Sequence, residues 1–294
     1  VRGLSTFASV GRLHIVAIAA LGTLTFGWLF TGHRPFELAA ITALDWFLVN
    51  LLNRVVDLEE DKANHIVGTD FVSRNRKALV WLGFSVLGLS LLGVHLIYPE
   101  ITALRVGYHC LGLAYNWPML PGGRRIKQLY FFKNTASATG FMLTVFGYPL
   151  AQVVTGRASF APGIDWATVG FGAAFFFLFE LSYEVIYDLR DATGDALAKV
   201  RTFVVVHGES GALRIIDGLL IGACLSLIIG YAMSSVPWRL FVMIAAPLMQ
   251  WVIYKRALKR GLRARDCIQA TWLGAGLLAA YHIWVWLDLP GVQA

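Results

Sequence analysis

The chain has 294 residues, of which 57% are hydrophobic and only 15% charged, and its mean hydropathy is +0.63. No ordinary soluble domain is that apolar, so the composition points to an all-α, polytopic membrane protein. The net charge of +7 does not imply a nucleic-acid partner: the basic residues gather in alternate loops, as membrane topology and attraction to anionic membrane lipid require.

In chain order, apolar runs of about 20 residues, the length that crosses a hydrocarbon core, fall at roughly 13 to 32, 36 to 57, 78 to 97, 101 to 118, 134 to 154, 165 to 187, 211 to 232, 237 to 254 and 268 to 287. The first run follows Arg12 and has the length of a spanning helix rather than of a signal peptide. Nine transmembrane helices put the termini on opposite sides. All but four of the 25 basic residues (Arg34, Arg105, Arg157 and Arg239) lie on the side of the N-terminus. The positive-inside rule then makes that side cytoplasmic, in a plasma membrane, and leaves the C-terminus outside. No soluble domain or low-complexity tract interrupts the chain, so residues 1 to 294 read as one transmembrane domain. Cys110, Cys224 and Cys267 lie in or beside apolar runs without metal-ligand spacing and read as core residues. His109 reads as packing, and Asp266 as the partner of the basic stretch before it.

The second run ends in Asn53, Asp57 and Asp61, and the sixth in Asp188, Asp191 and Asp195. Steps of three, four or seven residues return to one helix face, so each trio forms a stripe of oxygen ligands. Such acids are costly in a membrane helix unless they meet a cation or a polar substrate. Hard oxygen ligands without histidine suit Mg²⁺ shared with substrate phosphates and argue against zinc or redox iron. Arg54, Lys62, Lys133, Lys199 and Arg201 lie close by in sequence, where cations would hold a phosphate. Just before the second trio, Phe175, Phe176, Phe177, Phe179, Tyr183 and Tyr187 supply apolar and aromatic walls able to shelter a carbocation. Glu180 and Glu184 continue the acidic face deeper into the membrane and are expected to point into a cavity. The corresponding places of the two trios, four helices apart, hint at an internal repeat.

These motifs resemble the UbiA superfamily of intramembrane prenyltransferases, whose pattern is NxxxDxxxD on helix 2 and DxxDxxxD on helix 6. Here they stand as Asn53-Arg-Val-Val-Asp57-Leu-Glu-Glu-Asp61 and Asp188-Leu-Arg-Asp191-Ala-Thr-Gly-Asp195. The stretches YNWPMLPGGRRIKQLYFFKN and GDALAKVRTFVVVHG also resemble the family's loops after helices 4 and 6. The resemblance implies a helical bundle around a central cavity with a lateral opening to lipid. It implies Mg²⁺ held by Asn53, Asp57, Asp61, Asp191 and Asp195, bridging a polyprenyl diphosphate donor. Lys133, Lys199 and Arg201 would hold diphosphate oxygens, and Tyr115 and Asn116 would sit near the donor's reactive carbon. Asp188 would position or deprotonate a lipid-phase acceptor, aromatic or other. Arg54, where many members carry Asp or Ser, and the missing Arg-Pro after Asp61 depart from the family and bear on acceptor identity. Arg124 and Arg125 are candidates for binding an acceptor carboxylate. The implied activity is Mg²⁺-dependent prenyl transfer with release of diphosphate. Two alternatives remain: a membrane terpene cyclase using the same ionisation, and a transporter, for which Asp45 and Glu180 are the deepest acids on their helices.

Overall fold

The computed structural model describes residues 2–63, 66–197 and 200–289. A short amphipathic helix α1 (Arg2–Val10) turns through Arg12, whose φ of 47° is left-handed, into α2 (Leu13–Thr31). Gly32, at φ 75°, closes α2 by returning its N–H to the Trp28 carbonyl. There follow α3 (Phe36–Val56), α4 (Leu58–Ala63), α5 (Thr69–Arg74), α6 (Arg76–Ile97) and α7 (Thr102–Asn116). Helix α8 (Phe132–Phe141) passes through a π-helical turn, Met142–Phe146, into α9 (Gly147–Val154). Pro149 explains the turn: it lacks an N–H and its ring crowds the carbonyl of Val145, four residues back, so the chain widens there. The longest helix, α10 (Trp166–Leu197), precedes α11 (Phe203–Ala232), which kinks at Gly208, then α12 (Trp238–Phe241), α13 (Ala245–Leu258) and α14 (Ala264–Trp286).

Every apolar run lies on helix, but six segments among the described residues are long and apolar enough to cross a membrane: α2, α3, α6, α8 through α9, α10 and α11. The nine-span expectation therefore holds for six. Helix α7 has 15 residues, roughly 22 Å at 1.5 Å per residue, too short for a 30 Å core. Helix α13 has 14 residues after a 3-10 turn, and α14, with 23, is not apolar enough. The protein is nonetheless a multi-pass integral membrane protein, all-helical in its described residues. Helix α6 shows why: Trp81, Leu89 and Leu96 are at least 72% exposed, an apolar surface fit for lipid. Cys110 is likewise exposed rather than in the core, while Cys267 is buried.

The core is aromatic. Phe26 of α2 packs on Phe146 at 4.3 Å and on Phe176 of α10 at 5.2 Å, and Trp46 of α3 packs on Phe141 at 4.1 Å. Beside it lies a buried polar knot. Asp45 of α3 accepts hydrogen bonds from Arg105 Nε (3.0 Å) and Nη2 (2.5 Å) and from Tyr148 Oη (2.7 Å), and sits 3.0 Å from His109 Nε2. Arg105 Nη1 also donates to the Ser90 carbonyl at 2.9 Å. His109 is thus not plain packing: with Arg105, whose guanidinium neutralises Asp45, it ties α3 to α7, while Ser90 and Tyr148 bring in α6 and α9. A fully compensated acid is a poor station on an ion path, which removes Asp45 from the transport reading.

Candidate active site

At one end of the bundle both acidic trios are present, and the helix geometry explains how. Helix α3 stops at Val56, but the i to i−4 ladder continues: Asp57 N–H donates to the Asn53 carbonyl at 3.0 Å and Asp61 N–H to the Asp57 carbonyl at 2.8 Å. Asn53, Asp57 and Asp61 therefore keep one stripe, and all three are buried. Each carboxylate is held by a cation. Arg54 Nη1 donates to Asp61 at 2.8 Å, and Lys127 Nζ donates to Asp57 at 2.8 Å and Glu60 at 2.6 Å. Arg125 reaches the same pair, at 3.4 Å to Asp57 and 3.0 Å to Glu60. Burial pushes the Glu60 carboxyl upward, but Lys127 and Arg125 more than offset it and hold it below the usual carboxylate range.

On α10, Lys133 Nζ donates to Asp188 and to Asp195, each at 2.8 Å, and Asn134 Nδ2 donates to Asp188 at 2.7 Å. Burial raises the Asp195 carboxyl above its ordinary range, with Lys133 opposing it. Asp191, three residues from Asp188, turns to its neighbour Arg190, whose Nε donates at 2.6 Å and whose Nη2 makes a second contact. One turn deeper, Ser137 Oγ donates to Glu184 at 2.7 Å. Tyr115, at the end of α7, feels the charges of Lys133, Glu184 and Asp188. Its neighbour Asn116 is buried with its Oδ1 lacking a hydrogen-bond partner, as does Asn53 Oδ1.

Two groups join the trios. Lys127, bonded to Asp57, also acts electrostatically on Asp195. Arg12, in its left-handed turn, acts on Asp57 of one trio and on Glu184, one turn below Asp188 of the other. A non-glycine residue held there is strained, and such strain gathers at functional sites. The two clusters thus lie at one mouth, within electrostatic reach of Lys127 and Arg12.

Several expected residues lie elsewhere. Arg201 is exposed with its guanidinium 5.7 Å from the centre of the Tyr130 ring and makes no ion pair among the described residues. Lys199 lies outside the described residues. Lys62 pairs with Glu59 in the open, and Arg124 is exposed with a long contact to the Pro121 carbonyl, consistent with topology charge. Tyr183 and Tyr187 bond to the Ala270 carbonyl and to Thr271, so they face α14 rather than α8, the side to which Glu184 turns. The missed residues are Lys127, Arg190, Arg12, Glu60 and Asn134, while Arg125, named only as a candidate for an acceptor carboxylate, pairs instead with Asp57 and Glu60. The FFKN motif flagged Asn134 by its place beside Lys133; the others carried no spacing signal.

Two opposed carboxylate groups, interleaved with cations and set into the end of an apolar helical bundle, define a membrane protein whose site has the charge pattern suited to a polyanion together with hard cations. Comparison agrees: the chain belongs to the UbiA prenyltransferase family, whose model matches residues 13–275. Among solved structures the fold is similar to that of a UbiA homologue from Archaeoglobus fulgidus bound to GPP and Mg²⁺, at 16% identity and TM-score 0.70, covering 94% of this chain and 97% of that one. The homologue bound to DMAPP and Mg²⁺ aligns at 15% identity, TM-score 0.70 and the same coverage. A structure of digeranylgeranylglyceryl phosphate synthase aligns at 14% identity and TM-score 0.60, covering 96% of each chain. At these identities the likeness is one of fold. No curated protein matches the chain in sequence.

Proposed function

We propose that this chain is a Mg²⁺-dependent intramembrane prenyltransferase that moves a prenyl group from a polyprenyl diphosphate to a lipid-phase acceptor and releases diphosphate. The observation that carries the reading is the convergence of two carboxylate trios, with their cations, at one mouth. Carboxylates alone would repel a diphosphate and cations alone would not retain metal; together they fit a metal-bridged diphosphate. The Archaeoglobus homologue with GPP and Mg²⁺ supports the same pairing.

The donor set fits the metal. It is all oxygen, and the buried, unpartnered Oδ1 of Asn53 is an acceptor needing a donor or a cation. Among the described residues no three His, Cys, Asp or Glu side chains converge as a closed metal cage. Mg²⁺ asks for less: one or two carboxylates, with substrate phosphates and waters completing the shell. Asn53, Asp57 and Asp61 would hold one ion, and Asp191 and Asp195 another. The metal's contribution would be to neutralise charge that develops on the leaving diphosphate.

The chain's own residues do the rest. Lys133, Lys127, Arg125 and Arg12 would hold diphosphate oxygens, in addition to Lys199 and Arg201, to which the family resemblance gives that role. Tyr115 and Asn116 border the reacting carbon, and Asp188, fixed by Lys133 and Asn134, is oriented toward the acceptor. The basic residues of this end support a cytoplasmic-facing site under the positive-inside rule.

The test is diphosphate release and product formation by protein in nanodiscs with a prenyl diphosphate series and Mg²⁺. Asp57→Asn and Asp191→Asn are each expected to lower turnover roughly 100-fold or more, as loss of a main electrostatic contributor does. Normal turnover in both would overturn the metal assignment. A cyclic hydrocarbon formed without any acceptor would replace transfer by cyclisation.

A further inference from the structure

Two acids lie deep in the apolar bundle, and the structure treats them in opposite ways. Asp45 receives bonds from Arg105 and Tyr148 and lies against His109. Glu180 of α10, only 6% exposed, has no hydrogen bond or ion pair among the described residues. Its oxygens are also absent from the fully occluded unpartnered atoms, so the carboxyl keeps an accessible edge where a ligand's donor could meet it. A buried carboxyl without a partner is expensive in either protonation state, and a leucine there would cost nothing. Neighbours define the direction. Glu184, one turn toward the mouth, is turned to α8 by Ser137, and Phe176, one turn deeper, meets Phe141 of α8 at 6.3 Å between ring centres. Glu180 lies between these levels on the same face, four residues from each.

That position is incompatible with a purely hydrocarbon occupant. A prenyl tail offers no hydrogen-bond donor, and an apolar channel for it gains nothing from a carboxyl. Glu184 keeps Oε2 free while Ser137 fixes Oε1. The two carboxyls therefore present acceptors about one helical turn, roughly 6 Å, apart, starting one turn below Asp188.

We propose that Glu180, with Glu184, forms the acceptor subsite of the transfer reaction, and that it selects an acceptor carrying hydroxyl or amino N–H donors rather than a hydrocarbon or an ether. The assignment rests on the prenyl-transfer reading of the site. In it Glu180 binds and orients the acceptor, and no bond to Glu180 is made or broken.

The experiment uses the full chain in nanodiscs and separates donor from acceptor. Binding of farnesyl thiolodiphosphate with Mg²⁺ reports the donor site. Binding of 4-octylphenol, 4-octylaniline and 4-octylanisole reports the subsite. The phenol and the aniline are expected to bind at least tenfold more tightly than the methyl ether, the discrimination expected of a hydrogen bond to a carboxylate. Glu180→Leu should abolish that discrimination and Glu180→Gln, whose amide oxygen still accepts but whose NH2 can also donate to the ether, should weaken it, and Glu180→Asp should keep part of it, while thiolodiphosphate affinity stays within twofold and certifies the fold. Equal binding of phenol and ether in the wild type, or discrimination that survives Glu180→Leu, would overturn the acceptor assignment and leave prenyl transfer standing. Failure of the wild type to bind thiolodiphosphate with Mg²⁺ would overturn the prenyl-transfer reading, and the subsite with it.

Discussion

Asp45→Asn offers the sharpest test of how this bundle tolerates charge. The Arg105 side chain is 1% exposed and the Asp45 side chain 0%, so nothing else replaces the lost counter-charge. Breaking a buried ion pair by removing one partner costs about 3–5 kcal/mol, because the remaining charge stays desolvated. The asparagine oxygen can still accept from one of the donors, which places the expected loss near the lower half of that range, about 3–4 kcal/mol. Against a typical total of 5–15 kcal/mol this is a large fraction. The assay is reversible unfolding in mixed SDS micelles, followed by tryptophan fluorescence, with farnesyl thiolodiphosphate affinity measured on the surviving folded protein. Asp45→Leu combined with Arg105→Met removes both charges and should recover at least half of the loss, since apolar replacement of a buried pair is often neutral. An Asp45→Asn protein as stable as the wild type, or a double variant worse than the single one, would refute the electrostatic account. Loss of ligand binding with unchanged stability would instead return Asp45 to a substrate path.

Three further outcomes follow from the site and its surroundings. Lys127→Gln, which leaves Asp57 and Glu60 to Arg125 alone, should raise the apparent Kd for prenyl thiolodiphosphate about tenfold, the worth of one charge-assisted bond, and the weakening should shrink with added salt; an unchanged isotherm would remove Lys127 from the diphosphate set. Asp266 accepts from Arg260 (2.5 Å) and from the Arg263 N–H (3.0 Å), and the Arg260 guanidinium first, then the backbone bond, hold its carboxyl below the usual range. A depressed folded-state pKa contributes stability above the unfolded value of about 3.9, and that contribution is lost as pH falls through the folded value. The wild type should therefore unfold at a higher temperature than Asp266→Asn at pH 7 and lose that advantage as the pH falls below the ordinary carboxylate range, whereas a gap independent of pH would mean the capping bond, not the charge, matters. Gly68, at φ 93°, has Val10 Cγ2 2.6 Å from where a Cβ would stand, so Gly68→Ala should loosen α1 and speed its proteolysis; unaltered cleavage would show that α1 is not held there.

The two trios were legible in the sequence because each repeats on one helix, and helix periodicity survives even the stop at Val56. Their cation partners were not. Lys127 meets Asp57 across 70 positions and Lys133 meets Asp195 across 62, separations that no periodicity reports. Lys133 was found only because a motif carried it. The pairing of Arg105 and the role of His109 escaped for a related reason: a hydropathy scan treats a polar group as a cost and cannot see Asp45 meeting it from another helix. The span count meets the same limit at α7, where an apolar run of the right length yields a 15-residue helix. What a helix does alone is written locally, and what two helices do together is not.

The pairings at the mouth bear on how a charged substrate enters an apolar bundle at all. Asp57, Asp61, Asp188, Asp191 and Asp195 each hold a Lys or Arg within hydrogen-bond distance. Under the proposed function, the carboxylates would turn to Mg²⁺ and the released cations to diphosphate oxygens. Such an exchange swaps one partner for another, so no buried charge is left bare at the end, and the desolvation already met in folding is not met again. It also makes affinity depend on cooperation: metal without diphosphate would strand Lys127 and Lys133, and diphosphate without metal would meet carboxylates still facing it. Binding of either alone should therefore be weak and binding of both together strong, with the same coupling factor measured from either side, as linkage requires.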